Sequence, residues 1–286
     1  MYRKISHILL SAGFISTFLL QACKEINPPI DMTESAYETG VGTAESPDEK
    51  IVLIEDFTGA ACPNCPDAHI AIENAYAAYP GQVVAIAEYN YFADPLYLDQ
   101  NMQTEEALLL DLYLGPAVGW PASIIDRKEF TGNDYLPEIP ANVVPYCGDQ
   151  IALTPPCNIE VSNTYDAGTR NLTVQVRIDY TSTIADANNL SVSLKESGII
   201  AAQIDDNVGG EVEDYEHNHV LRKMLTNYSG TALPEENIAG RWYVFTFTYT
   251  IPANWNADNM AVVAFVHNTS PENKEVLQAA EAKVVE

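Results

Sequence analysis

The spacing of apolar residues changes character near Thr154-Pro155-Pro156. Before it, short unbroken apolar runs take turns with segments of near-helical spacing; after it, apolar and polar residues alternate one by one. Ile51-Val52-Leu53-Ile54 is short, continuous and β-branched, as a strand covered on both faces requires, and Gly59 interrupts it. Ile70, Ile72, Ala75, Tyr76 and Tyr79 then recur at near-helical spacing until Pro80-Gly81 stops the run. Residues 82–89 predict a second strand, 95–99 a turn, and 104–114 a helix carrying Leu108, Leu109, Leu112 and Tyr113 and ended by Gly115-Pro116. Residues 122–126 predict a third strand and 128–133 a hairpin with a following strand. A last helix falls within 138–151, interrupted by Pro140 and Pro145. The resulting order, β-α-β-α-β-β-α, describes an α/β domain.

Past residue 156 the runs Ile159-x-Val161, Leu172-x-Val174-x-Val176-x-Ile178-x-Tyr180 and Leu190-x-Val192-x-Leu194 have period two. Further strands are predicted at 199–204, 217–225, 242–250, 260–267 and 276–284, with turn signals at Asn188-Asn189 and Gly209-Gly210. This is the pattern of an all-β antiparallel, immunoglobulin-like sandwich of seven or eight strands. The expected organisation is therefore a leader at 1–22, a tether at 23–49, an α/β domain at 50–151 and a sandwich at 152–286. Residues 24–49 are rich in Pro, Thr, Ser and acids and poor in large apolar residues, which predicts a flexible acidic tether.

The leader carries Arg3 and Lys4, an apolar run over 8–20, and then Leu20-Gln21-Ala22-Cys23. The run is too short to span a bilayer and reads as a signal peptide. A small residue just before a cysteine resembles the lipobox of bacterial lipoproteins, which implies cleavage before Cys23 and its acylation. The alternative is an ordinary secretory leader with an incidental cysteine. Several acyl chains hold a protein firmly where one binds only marginally. Lys24 after the cysteine, by the same resemblance, favours the outer membrane.

Length and composition, 286 residues with 47% hydrophobic, can supply two cores. Of 14 basic residues the leader removes Arg3 and Lys4, leaving 12 against 40 acidic ones, a formal balance of −28. That disfavours nucleic acid and anionic membrane surfaces as partners. With Cys23 given to lipid, four of the five cysteines remain, in two pairs. Cys147 and Cys157 could bridge a short loop, contributing about 2 to 3 kcal/mol in an oxidising compartment, or could be buried thiols.

Cys62 and Cys65 fall where the first strand gives way to the first helix. A cysteine at a helix N-terminus faces unpaired backbone N–H groups and the positive end of the helix dipole, both of which favour thiolate. Cys62 is then the attacking sulfur, and Cys65, sitting deeper, can resolve a mixed disulfide by attacking Cys62. Pro63 has no N–H to offer, leaving those of Asn64 and Cys65, and Pro66 delays the start of regular helix.

Asp56-Phe57, Cys62-Pro63-Asn64-Cys65 and Gly119-Trp120-Pro121 before an apolar strand together resemble thioredoxin-fold proteins over residues 50–151. The resemblance implies that Asp56 is a buried acid/base for the resolving thiol, with Glu55 on the other face. It also implies that Pro121 is cis and presents the preceding backbone to a substrate protein. Trp120 could then cover the cysteines or receive an apolar side chain, or serve as a plain core residue. Ala61 stands where the family has a tryptophan, and Pro-Asn replaces Gly-Pro between the cysteines.

The whole layout, through the EDFTGAACPNCPDAH, GWPASIIDRK, HNHVLRKML and VVAFVHN segments, also resembles the Omp28-related outer-membrane lipoproteins of Bacteroidetes. The expectation is an envelope lipoprotein, a possible thiol-disulfide oxidoreductase in which Cys62 attacks, Cys65 resolves, Asp56 moves the proton and Trp120-Pro121 positions the partner. Its partners are envelope or surface proteins bearing thiols or disulfides, and the membrane through the lipid anchor. No cofactor is called for. The rival is a non-enzymatic surface lipoprotein with a permanent Cys62–Cys65 bridge. Cys62, Cys65 and His69 could also offer three metal ligands, but no metal site is assigned and His69 reads first as an exposed helical histidine. His217 and His219, two apart, read as a histidine pair on one strand face, with His267 on another strand.

Overall fold

The computed structural model describes residues 36–90, 102–115, 119–130 and 139–286. Cys23 and the turn expected at 95–99 lie outside them. In chain order the elements are β1 (Tyr37–Val41), β2 (Val52–Thr58), α1 (Cys65–Ala78), β3 (Val83–Tyr89), α2 (Glu105–Leu114), β4 (Ala122–Ile125) and α3 (Pro140–Ile151). There follow β5 (Cys157–Asp166), β6 (Asn171–Tyr180), β7 (Asn188–Glu196), β8 (Ile199–Asp205), β9 (Gly210–His217), β10 (Val220–Met224) and β11 (Thr231–Ala232). β12 (Arg241–Thr250), β13 (Met260–Asn268) and β14 (Val276–Lys283) complete the chain. The fold is mostly β, with few helices.

Helix boundaries follow local chemistry. The Thr104 hydroxyl caps α2 by accepting from Ala107 N–H, and Glu105 and Glu106 sit in its first turn, where the dipole favours acids. Pro140 opens α3, where a missing N–H costs nothing. Pro145 lies inside that helix, which is held by burial of Val143 and Cys147 in the core it shares with α1, β2 and β4.

The strands of the described residues form three sheets. A four-stranded antiparallel sheet runs β1-β12-β6-β5, and a larger one runs β14-β13-β7-β10-β3-β2-β4, with β11 pairing β7; β8 and β9 make a separate hairpin. Side chains of β6 and β12 (Val174, Val176, Tyr243, Phe245) pack on those of β7 and β13 (Val192, Leu194, Val262, Ala264), forming the sandwich core. Alternate residues of the large sheet feed a second core: Leu53, Phe57, Val84, Ile86, Leu221, Val263 and Phe265 under α2. On the opposite side of β2 and β3, Val52, Ile54, Val83 and Ala85 pack under α1 and α3.

Three expectations are corrected. The tether at 23–49 contains β1, which pairs antiparallel with β12 from Tyr37↔Phe245 to Val41↔Arg241. Polar composition gives this segment no core of its own, but the open edge of β12 satisfies its backbone, and Tyr37 stacks on Phe245 at 5.3 Å. Further on, Asp48 N–H donates to Asn158 Oδ1 and Gln278 Nε2 donates to Glu49 O. Second, the boundary at 151/152 does not separate two hydrogen-bonded bodies. β10 pairs in parallel with β3 (Val220↔Ala87), so strands from both segments share one sheet. Third, 217–225 is not one strand: β9 ends at His217, His219 turns with φ 60°, and β10 begins at Val220. Of the hairpin expected at 128–133, residues 128–130 have no regular structure and follow a turn in which Asp126 (φ 46°) and Arg127 (φ 51°) are left-handed; residues 131–133 are outside the described part.

Candidate active site

β2 delivers the site. All seven of its residues are buried, and it sits centrally between β3 (parallel) and β4 (antiparallel), so its C-terminal end opens at one rim of the sheet. The chain turns through Gly59, where Cys62 N–H donates to Gly59 O at 3.0 Å, and enters α1 at Cys65. Cys62 and Cys65 are joined as a disulfide. Cys62 is half-buried and Cys65 fully buried, so one sulfur is open to a partner and the other is not. Asn64 is the N-cap without a side-chain bond, and Cys65 N–H is taken by Cys62 O at 3.3 Å.

Asp56 is fully buried on β2. Its Oδ1 accepts from Ser123 Oγ on β4 at 2.8 Å, following the register Asp56↔Ser123, while Oδ2 has no hydrogen-bond partner among the described residues. Burial pushes its carboxyl up to about 7 against the hydrogen bond from Ser123, so it can gain or lose a proton near neutrality. Glu55, next in the chain, faces the α2 side, where Arg127 holds it bidentately at 2.8 and 2.6 Å. Glu88, buried on β3, has no hydrogen-bond partner among the described residues, and burial and then the neighbouring Glu55 push its carboxyl well above the usual range, favouring the protonated form.

His69 lies on α1, but less exposed than the sequence implies. Its Nε2 is 3.0 Å from Thr58 Oγ1 and 3.8 Å from Asp56 Oδ2, and its Nδ1 is 2.7 Å from the Tyr215 hydroxyl of β9. Burial, with His217 and His219 nearby, lowers its pKa to about 3, so the ring is neutral. Both ring nitrogens are thus occupied within the protein. A groove of about 270 Å³ runs beside this cluster, lined by His69, Glu73, Ala87, Tyr215, Asn218 and His219.

The β8–β9 hairpin clamps the cysteine loop. Gln203, fully buried, donates from Nε2 to Cys62 O at 2.9 Å and to Gly59 O at 3.3 Å. Ile204 N–H donates to Ala60 O and Asp206 N–H to Pro63 O, while Asn207 Nδ2 reaches Asp67 Oδ1. Gln203, Tyr215 and Ser123 escape sequence reasoning because each reaches the site from a distant part of the chain. The alternation of Ser123 within its strand is the one signal that it faces with Asp56.

Trp120-Pro121 is a cis peptide bond. Pro121 immediately precedes Ala122, which pairs with Phe57, so it stands at the same rim of the sheet as the cysteines. Trp120 packs against the α2 core. Cys147 and Cys157 are not bridged: both are buried free thiols, a correction to the expected disulfide. They point into different cores, Cys147 from α3 into the core under that helix and Cys157 into the sandwich, and burial pushes each up to about 12. His217 Nδ1 meets Tyr89 Oη at 2.6 Å, His219 stacks on Tyr76, and His267 Nε2 meets Ser191 Oγ at 3.1 Å. His217 and His219 therefore do not share a strand face.

The sequence model of the family described as Outer membrane protein Omp28 matches residues 115–286, more than half of the chain. No curated protein matches the sequence. Among solved structures, HBP35 of Porphyromonas gingivalis aligns with a TM-score of 0.68 and 20% identity over 84% of this chain and 76% of that one. The two share a fold. A protein from Agrobacterium tumefaciens aligns with a TM-score of 0.49 and 14% identity over 84% of this chain and 97% of its own.

Proposed function

The chain belongs to the Omp28 family of outer membrane proteins, and from that premise we propose that it is a lipid-anchored envelope protein that exchanges disulfides with exported proteins through Cys62 and Cys65. Residues 50–151 form a thioredoxin-like unit in this reading, built from β2, α1, β3, α2, β4 and α3. The observation that carries it is a disulfide with one half-open and one buried sulfur at the start of α1, fed by the strand that buries a protonatable Asp56.

In the reducing direction Cys62 thiolate attacks a partner disulfide, forming a mixed disulfide and releasing one partner thiolate. Asp56 carboxylate takes the proton of Cys65, whose thiolate attacks Cys62 Sγ. The internal disulfide forms and the electron pair leaves with the second partner sulfur. Pro121, at the same rim, positions the partner backbone, with Trp120 beside it. Acylated Cys23 holds the chain at the membrane.

Replacing Cys65 by serine removes the resolving step. The C65S variant in envelope extracts is expected to retain partners in reducible, Cys62-dependent adducts. Absence of any adduct, with Cys62 alkylated no faster than an ordinary thiol, would sink the exchange reading.

A second reading is favoured by the clamp of Gln203, Ile204 and Asp206 on the loop carbonyls. A loop tied at Ala60, Cys62 and Pro63 suits a permanent bridge in a non-enzymatic surface lipoprotein. A reduction potential below about −300 mV identifies such a static bridge, and a higher one a working couple.

A further inference from the structure

Asp56 presents a difficulty that the exchange reaction makes acute. Its carboxyl is fully buried and Oδ2 has no hydrogen-bond partner among the described residues, so a proton taken from Cys65 has no direct route to water. The group beside Oδ2 that reaches the surface is His69. Its Nε2 lies 3.8 Å away, and its side chain is 18% exposed where Asp56 is 0%. From the other nitrogen, 2.7 Å leads to Tyr215 Oη, and both His69 and Tyr215 line the groove beside α1. Thr58 Oγ1, 3.0 Å from Nε2, steadies the ring.

We propose that His69 and Tyr215 form the proton path between the buried Asp56 carboxyl and the groove, so that the proton of the resolving thiol leaves the protein through them. The inference rests on the exchange reaction proposed above. Once Cys65 has lost its proton to Asp56 and its thiolate has closed the internal disulfide, the Thr58 hydroxyl turns its hydrogen away from His69 Nε2, the Asp56 Oδ2–H bond breaks and the proton passes to the freed Nε2 lone pair. The Nδ1 proton moves to Tyr215 Oη, and the hydroxyl proton of Tyr215 passes to water in the groove, where it neutralises the expelled thiolate. An imidazole closing the remaining gap by roughly 1 Å reaches hydrogen-bond distance. Neutral imidazole suits this shuttle because it accepts at one nitrogen while releasing from the other. His69 and Tyr215 act through Asp56 and not on the sulfurs.

The groups facing this path come from every neighbouring element. Asp56 accepts from Ser123 of β4 and feels the charges of Glu88 and Tyr89 of β3 and Tyr215 of β9; His69 feels those of Glu73 of its own helix, His217 of β9 and His219 of the following turn. Of these, His69 and Tyr215 are the two that both line the groove and stand in a chain of short distances from Oδ2.

The test uses the reduced full chain mixed with 5,5′-dithiobis(2-nitrobenzoate) in a stopped-flow instrument. Attack by Cys62 releases one thionitrobenzoate and leaves a mixed disulfide; attack by Cys65 releases the second. His69→Ala is expected to leave the first release unchanged and to slow the second roughly tenfold at neutral pH. Imidazole added to the buffer should restore the second release in a concentration-dependent manner, which a merely structural role would not produce. Tyr215→Phe keeps the ring packed and should slow the same step, covering the case in which His69→Ala fails to fold. A second release of wild-type speed in these variants, indifferent to imidazole, overturns the relay while leaving exchange intact. Failure of wild-type protein to form the mixed disulfide overturns the exchange reaction and the relay with it.

Discussion

At the scale of single residues, Asp56 couples stability to chemistry. Its folded pKa of about 7 stands above the ordinary 3.8, so the folded state holds a proton that the unfolded chain has already released. Unfolding therefore releases a proton between those values, and stability falls as pH climbs from about 4 to about 7 and stays reduced above. The full penalty is on the order of 4 kcal/mol. Asp56→Asn keeps an oxygen to accept from Ser123 but cannot ionise. It is expected to be more stable than wild type by a few kcal/mol at pH 8 and within about 1 kcal/mol at pH 4. Urea titrations at the two pH values measure the difference, and equal gains at both would mean that Asp56 titrates normally. The same variant should resolve mixed disulfides slowly. Asp56 and the cysteine pair are legible in the sequence because their placement is local, one strand and one turn. Ser123 and Tyr215 are not, because they meet Asp56 and His69 across 67 and 146 residues.

At the scale of elements, most strands announce themselves by alternation: along β6, Leu172, Val174, Val176, Ile178 and Tyr180 are buried while the residues between them reach the surface. β1 and β9 do not, since each is short or acid-rich and draws its order from a neighbouring backbone. Tyr37-x-Thr39-x-Val41 is the one faint sign of β1. The β8–β9 hairpin matters most for the site because it fixes a loop that has few apolar anchors of its own. Gln203→Ala removes the donor to Cys62 O and Gly59 O and exposes those carbonyls to an unfilled gap. The expected destabilisation is about 1–3 kcal/mol. Hydrogen exchange should accelerate first at the amides of Ile204 and Asp206, which donate to Ala60 O and Pro63 O. Unchanged protection at those two amides would show that the hairpin is held by something other than this side chain.

At the scale of the whole molecule, the change of texture at Thr154-Pro155-Pro156 is real but marks a change of architecture and not a seam between independent bodies. Strand edges carry no sequence signal for their partners, so nothing in Val83–Tyr89 or Val220–Met224 foretells their parallel pairing. Buried polar links cross the boundary. Lys50 Nζ pairs with Asp126 Oδ2 at 2.7 Å and donates to Val276 O, Val276 N–H donates to Asp126 O, and Lys195 Nζ donates to Ala85 O. One core joins Leu53, Phe57, Val84 and Ile86 to Leu221, Val263 and Phe265. Cutting the chain at 151/152 uncovers these side chains at up to about 1.5–3 kcal/mol each, which together is comparable to the whole 5–15 kcal/mol stability usual for a domain. It also takes Ala85 O from Lys195 and Val276 O from Lys50. Residues 36–151 and 152–286 expressed separately are therefore expected to lack a cooperative thermal transition, while the uncut chain unfolds in one calorimetric transition with matching van't Hoff and calorimetric enthalpies. Mixing the two fragments should restore the transition, because the side chains that the cut uncovers on one fragment are complementary to those it uncovers on the other. A sharp transition in isolated 36–151 would show that the dithiol unit stands alone, and that the shared sheet adds docking to a domain already complete.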